Sequence, residues 1–317
     1  MGNNLLKPGN LLLSPQKRYW YSVFKNWQLY VFSLPAVVYF ILFSYAPMYG
    51  VLIAFKDFSL RAGITASPWA NPLFKHFRAF MVSSQFFNIL RNTITLSLYA
   101  LFAGFPLSIL LAILLNEMNN KKYMKVIQNI TYAPHFISTV VIVGMINLFF
   151  SSRGIINQII TLMGNTPVNY LLKQDYFAHI FVWSGIWQHI GYSSIIYFAS
   201  LSGVSPDLHE AAIIDGASRF KRIIHINLPH ILPTIIILFI LEAGRVMNVN
   251  FEKVYLMQTG NNLMRSEILA TYTYKLGIIN ANFSQGSAVA IFNNVINLAL
   301  LLMVNWISKK VGETSLF

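Results

Sequence analysis

A few polar side chains fall inside long apolar segments of this sequence, where they could bind a hydrated solute. Glu242, Arg245 and Asn248 follow one another at three-residue intervals in one such segment. On a helix, residues three apart lie on neighbouring turns, so Glu242 and Arg245 can form an ion pair. Ionisable groups at membrane depth are costly, and they face a cavity or one another. The pattern predicts either a polar stripe along a solute path or an internal ion pair that joins helices.

Aromatic and amide side chains form a second candidate group. Trp183 and Trp187 are four residues apart, as are Gln188 and Tyr192, so each pair shares a face of a helix. Sugar rings present apolar C–H faces together with hydroxyl groups, and aromatic rings beside amides suit that chemistry. The alternative for this group is packing between helices or anchoring at the membrane interface.

Asn293 and Asn297 are a third candidate group, four residues apart in the last apolar segment. They could extend the polar stripe along the solute path. Asparagines in membrane segments also hydrogen-bond neighbouring helices, which is the alternative reading here. His135, beside Pro134, indicates packing at a helix kink rather than a metal ligand.

Catalytic and metal-binding motifs are absent from the sequence. No glycine is followed by lysine, so the phosphate-binding Gly-x-x-x-x-Gly-Lys-Ser/Thr loop cannot form. His-Glu-x-x-His and Gly-x-Ser-x-Gly are also missing. There are no cysteines, which excludes disulfides and thiolate sites. We therefore predict no catalytic residue, no metal site, no cofactor bound by this chain and no enzymatic activity.

The elements that carry the candidate residues must lie in a membrane. Of the 317 residues, 56% are hydrophobic and 10% are charged, against about 25% charged in soluble domains. A helix needs about 20 apolar residues to cross a bilayer. Six segments meet that length, near 29–53, 94–115, 127–150, 177–201, 231–252 and 286–307. We predict an all-α integral membrane protein that crosses the membrane six times.

The basic residues predict the orientation of these segments. The net charge of +13 suits contact with membrane lipid, and we do not expect nucleic acid as a partner. Cytoplasmic stretches are expected to be basic, and the candidates are Lys7, Lys17, Arg18, Lys25, Lys121, Lys122, Lys125, Arg219, Lys221, Arg222, Lys309 and Lys310. Both termini are then cytoplasmic, with tails at 1–28 and 308–317 flanking a membrane domain at 29–307.

The loop at 202–230 carries a composite motif. Glu210-Ala211-Ala212 is followed after three residues by Gly216, and after nine more by Ile226, one further residue and Leu228-Pro229. This spacing closely resembles the signature loop of permease subunits of type I ABC importers. The resemblance extends to polysaccharide and oligosaccharide permeases of the carbohydrate-uptake branch, through the segments 133–138, 154–157, 250–254 and 314–317.

This resemblance implies a six-helix importer permease fold whose cytoplasmic loop docks into a groove on an ATPase. Carried onto this chain, Glu210 would meet a basic group of the ATPase, Ala211 and Ala212 would pack in the groove, and Gly216 would set the bend between two short helices. The expected coupling residues are Glu210, Ala211, Ala212, Asp215, Gly216 and Ala217.

The resemblance also implies partners and a compartment. We expect a second, related permease, two copies of a cytoplasmic ABC ATPase that binds ATP and Mg, and an extracytoplasmic sugar-binding protein, in the cytoplasmic (inner) membrane of a bacterium. The expected substrate is an oligosaccharide derived from a plant or algal polysaccharide. Basic residues assigned to outer loops would suit acidic, uronate-containing sugars; they are Lys56, Arg61, Lys75, Arg78 and Arg91.

Two other functions compete with this interpretation. An ABC permease for a non-sugar solute would carry the same loop. A secondary transporter driven by an ion gradient would not need the loop, and such proteins often show two repeated halves, which are not evident here. A membrane-embedded enzyme is disfavoured because no catalytic constellation is present.

Overall fold

The computed structural model describes residues 27–311, and every regular element in that range is helical. Within it, the only strand-like pairing is an isolated antiparallel bridge between Lys56 and Trp69. The all-α prediction is therefore confirmed. The basic residues Lys7, Lys17, Arg18 and Lys25, and the motif at 314–317, lie outside the described residues.

The chain forms two compact units, residues 1–52 and 53–317. In the described part of the first unit, helix α1 (Trp27–Phe40) is followed by a π-helical turn, Ile41–Tyr45, and by the short helix Ala46–Met48. The side chains of α1 are mostly apolar and all of them are exposed, and Phe32 is 85% exposed. An apolar surface of this extent is suited to lipid rather than water.

The second unit begins inside a 3₁₀-helix, Tyr49–Phe55, and contains the remaining helices. The longer ones are α2 (Lys75–Met81), α3 (Phe86–Asn116), α4 (Lys121–Tyr132), α5 (Thr139–Phe150), α6 (Ile155–Leu162), α7 (Gln174–Leu201), α8 (Pro206–Ile214), α9 (Leu228–Ala243), α10 (Phe251–Met257), α11 (Leu269–Tyr274) and α12 (Phe283–Val311). Short α-helices lie at Gly63–Ala66, Arg219–Arg222 and Leu263–Ser266, 3₁₀-helices at Ala133–Phe136 and Tyr170–Leu172, and π-helices at Ile223–Asn227 and Lys275–Ile279.

Within the described residues, five helical segments are long and apolar enough to cross a membrane. They are Trp27–Phe55, Phe86–Asn116, Thr139–Leu162, Arg219–Ala243 and Phe283–Lys310. The fourth predicted span corresponds to α7, which has 28 residues but includes Asp175, Gln188 and two histidines. Six crossings and cytoplasmic termini therefore remain predictions.

The third predicted span, 127–150, is not one helix. Helix α4 ends at Tyr132, a 3₁₀ turn follows at Ala133–Phe136, and α5 starts at Thr139. Pro134 lacks an N–H group and cannot continue the backbone hydrogen bonds of α4, and the chain becomes extended at Ile137. The hydroxyl of Ser138 accepts a hydrogen bond from the Val141 N–H at 3.4 Å and caps the new helix. The kink expected beside Pro134 is thus a complete break.

The fifth predicted span, 231–252, corresponds to a helical segment that begins and ends earlier, Arg219–Ala243. Helix α9 ends at Ala243, residues 244–247 form a turn, and residues 248–250 have no regular structure. Asn250 then caps α10, because its side-chain oxygen accepts a hydrogen bond from the Lys253 N–H at 3.0 Å. The polar residues predicted on one helix face are therefore distributed over a helix end and an irregular segment.

The apolar core of the second unit is built around α3 and α7, which pack along one another. One buried cluster contains Leu96 of α3, Phe177 and Phe181 of α7, and Val254 of α10. Two further clusters flank it, one with Phe80, Met247 and Val289, the other with Ala112, Leu201 and Ile231. This core places α10 against α7 and sets the geometry described below.

Helices α4 and α7 touch at the level of their backbones. A Cβ atom on Gly191 of α7 would lie 2.1 Å from the carbonyl oxygen of Thr131 on α4, much closer than any real contact. Close by, Gln188 donates a hydrogen bond to the Ile137 carbonyl at 3.0 Å. The ring of Tyr192 stacks on His135 with centroids 3.9 Å apart. Helix α7 therefore holds the broken segment in place.

Candidate functional site

A cavity of about 690 Å³ lies among α3, α7, α9, α10 and the irregular segment 244–250. Its wall is largely apolar, and polar side chains project from α7, from the end of α9 and from the segment beyond it. The main polar residues are His189, Tyr192, Glu242, Arg245, Asn248, Asn250 and Lys253. A concave, mostly apolar site with a few polar groups is typical of small-molecule binding.

The structure brings together four of the residues predicted to contact substrate. Tyr192, Glu242, Arg245 and Asn248 all line the cavity. Helix α7 supplies the first, the last turn of α9 the second, and the irregular segment the other two. Their assignment to a solute path stays a prediction.

The ion pair between Glu242 and Arg245, one of the two alternatives predicted for these residues, is not formed. No contact between their charged groups falls within the 4.0 Å limit of an ion pair, and both residues are exposed. The helical spacing behind the expectation does not apply, because α9 ends at Ala243. Both charges are therefore free to face the cavity.

The other predicted residues lie outside the cavity lining. Trp183 donates a hydrogen bond to the hydroxyl of Tyr99 at 2.9 Å, and Trp187 is half-exposed. Gln188 is buried against the broken segment, where it donates to Ile137. Trp183 and Gln188 thus connect neighbouring elements in this structure.

Asn293 and Asn297 form a hydrogen-bonded group with Asn248. The Oδ1 atom of Asn248 accepts from Asn293 at 3.1 Å and from Asn297 at 2.9 Å. Asn297 also accepts a hydrogen bond from the backbone N–H of Met247 at 3.0 Å. The amides thus join α12 to the irregular segment and support the position of Asn248 at the cavity.

Sequence reasoning missed Lys253 and His189 as cavity residues. Lys253 is 2% exposed and donates a hydrogen bond to the carbonyl of Phe181 at 3.2 Å. The signal was a lysine between Phe251, Val254 and Met257, which are apolar at helical spacing. His189 shares a 3.0 Å hydrogen bond with His135 across the break. Its position depends on that break, which the sequence did not predict.

The loop at 202–230 has the geometry expected around Gly216. Helix α8 is followed by Asp215 and by Gly216, whose φ angle is +74°, and the helix Arg219–Arg222 follows. The N–H of Gly216 donates to the Ile213 carbonyl at 3.0 Å, and the N–H of Ala217 donates to the Ala212 carbonyl at 2.8 Å. These two bonds form a Schellman motif, which favours glycine at the left-handed position.

The surface of this loop is more apolar than the sequence suggested. Glu210, Ala211 and Asp215 are exposed, as expected for docking residues, and Ala212 and Ala217 are half-buried. Ile214 is 86% exposed and Phe220 is 70% exposed. An apolar patch beside a surface carboxylate is typical of a protein interface.

Among the residues that the structure describes, no group of three His, Asp or Glu side chains could hold a metal ion.

Comparison with known proteins identifies a protein family and several relatives that are similar to this chain. A family model described as the binding-protein-dependent transport system inner membrane component matches residues 104–313. Protein LplB of Bacillus subtilis (strain 168) is 39% identical over 290 residues, 91% of each chain. The polygalacturonan/rhamnogalacturonan transport system permease protein YteP of the same organism is 37% identical, over 95% of this chain and 94% of that protein.

Two solved structures share the fold. The first is a crystal structure of a bacterial ABC transporter involved in the import of the acidic polysaccharide alginate. One of its chains is 36% identical to this chain, with a TM-score of 0.86, and the match covers 93% of this chain and 99% of that chain. The second is a crystal structure of a bacterial alginate ABC transporter in complex with an alginate pentasaccharide-bound periplasmic protein. One of its chains is 35% identical to this chain, with a TM-score of 0.87, and the match covers 94% of this chain and 100% of that chain.

Proposed function

This chain belongs to the family of inner-membrane components of binding-protein-dependent transport systems, and from that premise we propose that it is the permease subunit of an ATP-driven importer of acidic oligosaccharides. Its relatives include ABC permeases for sugars and polysaccharides. The observation that carries the acidic class is the cavity, whose wall holds Arg245 and Lys253 without a paired carboxylate.

The relatives support an acidic substrate. One is named for polygalacturonan and rhamnogalacturonan transport, and the solved transporters are described as importing alginate, an acidic polysaccharide. Carboxylates on the substrate would be attracted to cationic side chains in a cavity lined mostly by apolar groups, where charge interactions are stronger than in water.

Two of the basic residues assigned to outer loops are engaged within the protein and are poor candidates for substrate recognition. Lys56 is buried and donates to the carbonyls of Ile64 and Thr65 at 2.7 and 3.1 Å. Lys75 pairs with Asp57 at 2.9 Å, and its hydrogen bond lowers the pKa of the Asp57 carboxyl. Cations engaged in this way stabilise the outer segment, so the cavity is the better candidate for substrate charge recognition.

Coupling to ATP hydrolysis is assigned to the loop at 202–230. The surface formed by Glu210, Ala211, Ile213, Ile214 and Phe220 is exposed and combines a carboxylate with apolar groups. We assign this surface to an ATPase subunit, with a second permease completing the membrane part and a binding protein delivering the sugar. Since this chain has no phosphate-binding loop, ATP and Mg would be bound by the ATPase.

The test is uptake by the complete transporter reconstituted in proteoliposomes with its binding protein. We expect ATP-dependent uptake of a labelled trigalacturonate, and little uptake of a neutral trisaccharide of the same ring size and linkage. Preference for the neutral sugar would contradict the acidic substrate class. Uptake that follows an ion gradient and ignores ATP would contradict the importer.

A further inference from the structure

Lys253 is a buried lysine in the wall of the cavity, and no carboxylate lies beside its charge. Its side chain is 2% exposed and contributes to the cavity lining. The ammonium Nζ donates to the Phe181 carbonyl oxygen at 3.2 Å and lies 5.3 Å from the centre of the Phe181 ring. Across residues 27–311, no Asp or Glu oxygen falls within 4.0 Å of it.

One backbone carbonyl does not satisfy a buried ammonium. The group has three N–H donors, and Phe181 accepts one of them. Burying a charge is costly unless an opposite charge and further hydrogen bonds compensate for the lost water. Apart from the Phe181 carbonyl and ring, the described protein atoms provide no hydrogen-bond acceptor for the two remaining donors of Lys253 and no opposite charge within ion-pair distance. Ionisable groups in such surroundings commonly mark substrate or ion sites.

The neighbouring helix places a glycine beside the ammonium. A Cβ atom on Gly185 of α7 would lie 3.4 Å from Nζ, and both residues line the cavity. A side chain at position 185 would therefore contact the ammonium directly. Arg245 adds a second positive charge to the same wall, and Glu242 is not within ion-pair distance of either cation.

We infer that Lys253 is a carboxylate-binding subsite of the cavity, at which the ammonium pairs with a uronate group of the passing oligosaccharide. This inference rests on the proposed function and goes beyond it, because it assigns charge selectivity to one residue. A sugar hydroxyl can accept a hydrogen bond from Lys253 but cannot neutralise its charge. A uronate carboxylate does both, which gives the subsite its preference.

The experiment compares Lys253→Gln with wild type in the reconstituted transporter, using trigalacturonate and its methyl ester. The binding protein is the same in all samples, so a change in the ratio of the two uptake rates belongs to the permease. Because a hydrogen bond to a charged group contributes more than a neutral one, we expect the ratio to fall by about tenfold or more. Lys253→Arg keeps the charge and should keep the wild-type ratio.

Two alanine variants separate charge recognition from packing. Gly185→Ala places a methyl group against the ammonium and should lower the ratio, even if Lys253→Gln fails to assemble. Gly104→Ala is the matched control: its methyl group would lie 3.5 Å from Ile186 in the same cavity, so it should change both uptake rates equally.

The outcomes distinguish this inference from the proposed function. Wild type that imports trigalacturonate, with Lys253→Gln and Gly185→Ala variants that keep the wild-type ratio, would overturn the assignment of Lys253 alone. If both variants lose uptake of trigalacturonate and of its methyl ester to the same extent, Lys253 has a purely structural role. A wild type that imports only the neutral ester would contradict the acidic substrate class itself.

Discussion

Asn297 shows how a single amide can hold an irregular segment in place. It is buried, it accepts a hydrogen bond from the Met247 N–H and it donates to Asn248. Asn294, three residues earlier on the same helix, is exposed. The pair is therefore a natural contrast between a structural amide and a surface amide.

We predict that Asn297→Ala destabilises the protein by about 1–3 kcal/mol, because it leaves the Met247 N–H buried without an acceptor. Met247 is 1% exposed, so water cannot replace the lost partner without a rearrangement. Thermal unfolding in detergent, followed by circular dichroism, measures the change. Asn294→Ala should unfold with wild-type stability, and equal midpoints for the two variants would contradict the argument.

At the residue scale, the sequence indicated which polar side chains matter but not which groups they contact. The asparagines were expected to join helices or to line a solute path, and the structure shows them joining α12 to the irregular segment. The Glu242–Arg245 ion pair, one of the two alternatives predicted for these residues, is not formed, because it was argued from helical spacing beyond the real end of α9. The apolar residues around Lys253 indicate that α10 is buried, but its contact with Phe181 of α7 is not contained in any local pattern.

At the element scale, the bend after α8 depends on one backbone angle. Gly216 has a φ of +74°, and no atom lies within 4 Å of the position that a Cβ would occupy. Crowding is thus absent, and any effect of substitution comes from the left-handed conformation. Asparagine tolerates this conformation, whereas a β-branched residue is strained in it.

We predict that Gly216→Val reduces coupled uptake and that Gly216→Asn retains most of it. The valine would be strained by about 1–2 kcal/mol and would move Ile214 and Phe220 relative to one another. Uptake and ATP hydrolysis, measured together in proteoliposomes, report the coupling. Equal coupled uptake in Gly216→Val and Gly216→Asn would contradict a role for the left-handed φ angle of Gly216.

The helix breaks mark the limit of prediction from sequence for the elements. Within the described residues, five of the six predicted segments overlap helices that are long and apolar enough to cross a membrane, because length and hydrophobicity alone determine whether a helix can span lipid. The breaks at 133–138 and 244–250 interrupt segments that are predominantly apolar on average, although 133–138 contains His135 and 244–250 contains Arg245 and Asn248. Pro134 marked the first as a kink. The second depends on the Asn250 cap and on contacts with α12, which appear only in the folded chain.

For the whole molecule, the exposed loop surface predicts a stable partner. The Glu210 side chain is exposed, so changing its charge should not disturb the fold. We predict that an ATPase and a second permease copurify with the wild type from native membranes. Glu210→Lys should lose the ATPase, because it replaces the carboxylate assigned to a basic group with a like charge.

Asp175→Lys is the matched control for this experiment. It makes the same charge change at an exposed residue in the first turn of α7, away from the loop. Quantitative mass spectrometry of the purified complexes compares the three proteins. Equal ATPase recovery from all of them would remove Glu210 from the docking surface.

The contact of Gly191 with Thr131 has a mechanical consequence. Two helices that meet through side chains can slide past one another when those side chains change rotamer. Two helices whose backbones are in contact can slide only if the peptide geometry is strained. Helix α7 and the end of α4 therefore behave as one rigid arm. Any rocking of the permease has to be absorbed at joints, and the non-helical residues at 117–120 and 202–205, which border α4 and α7, are where this arm can hinge against its neighbours.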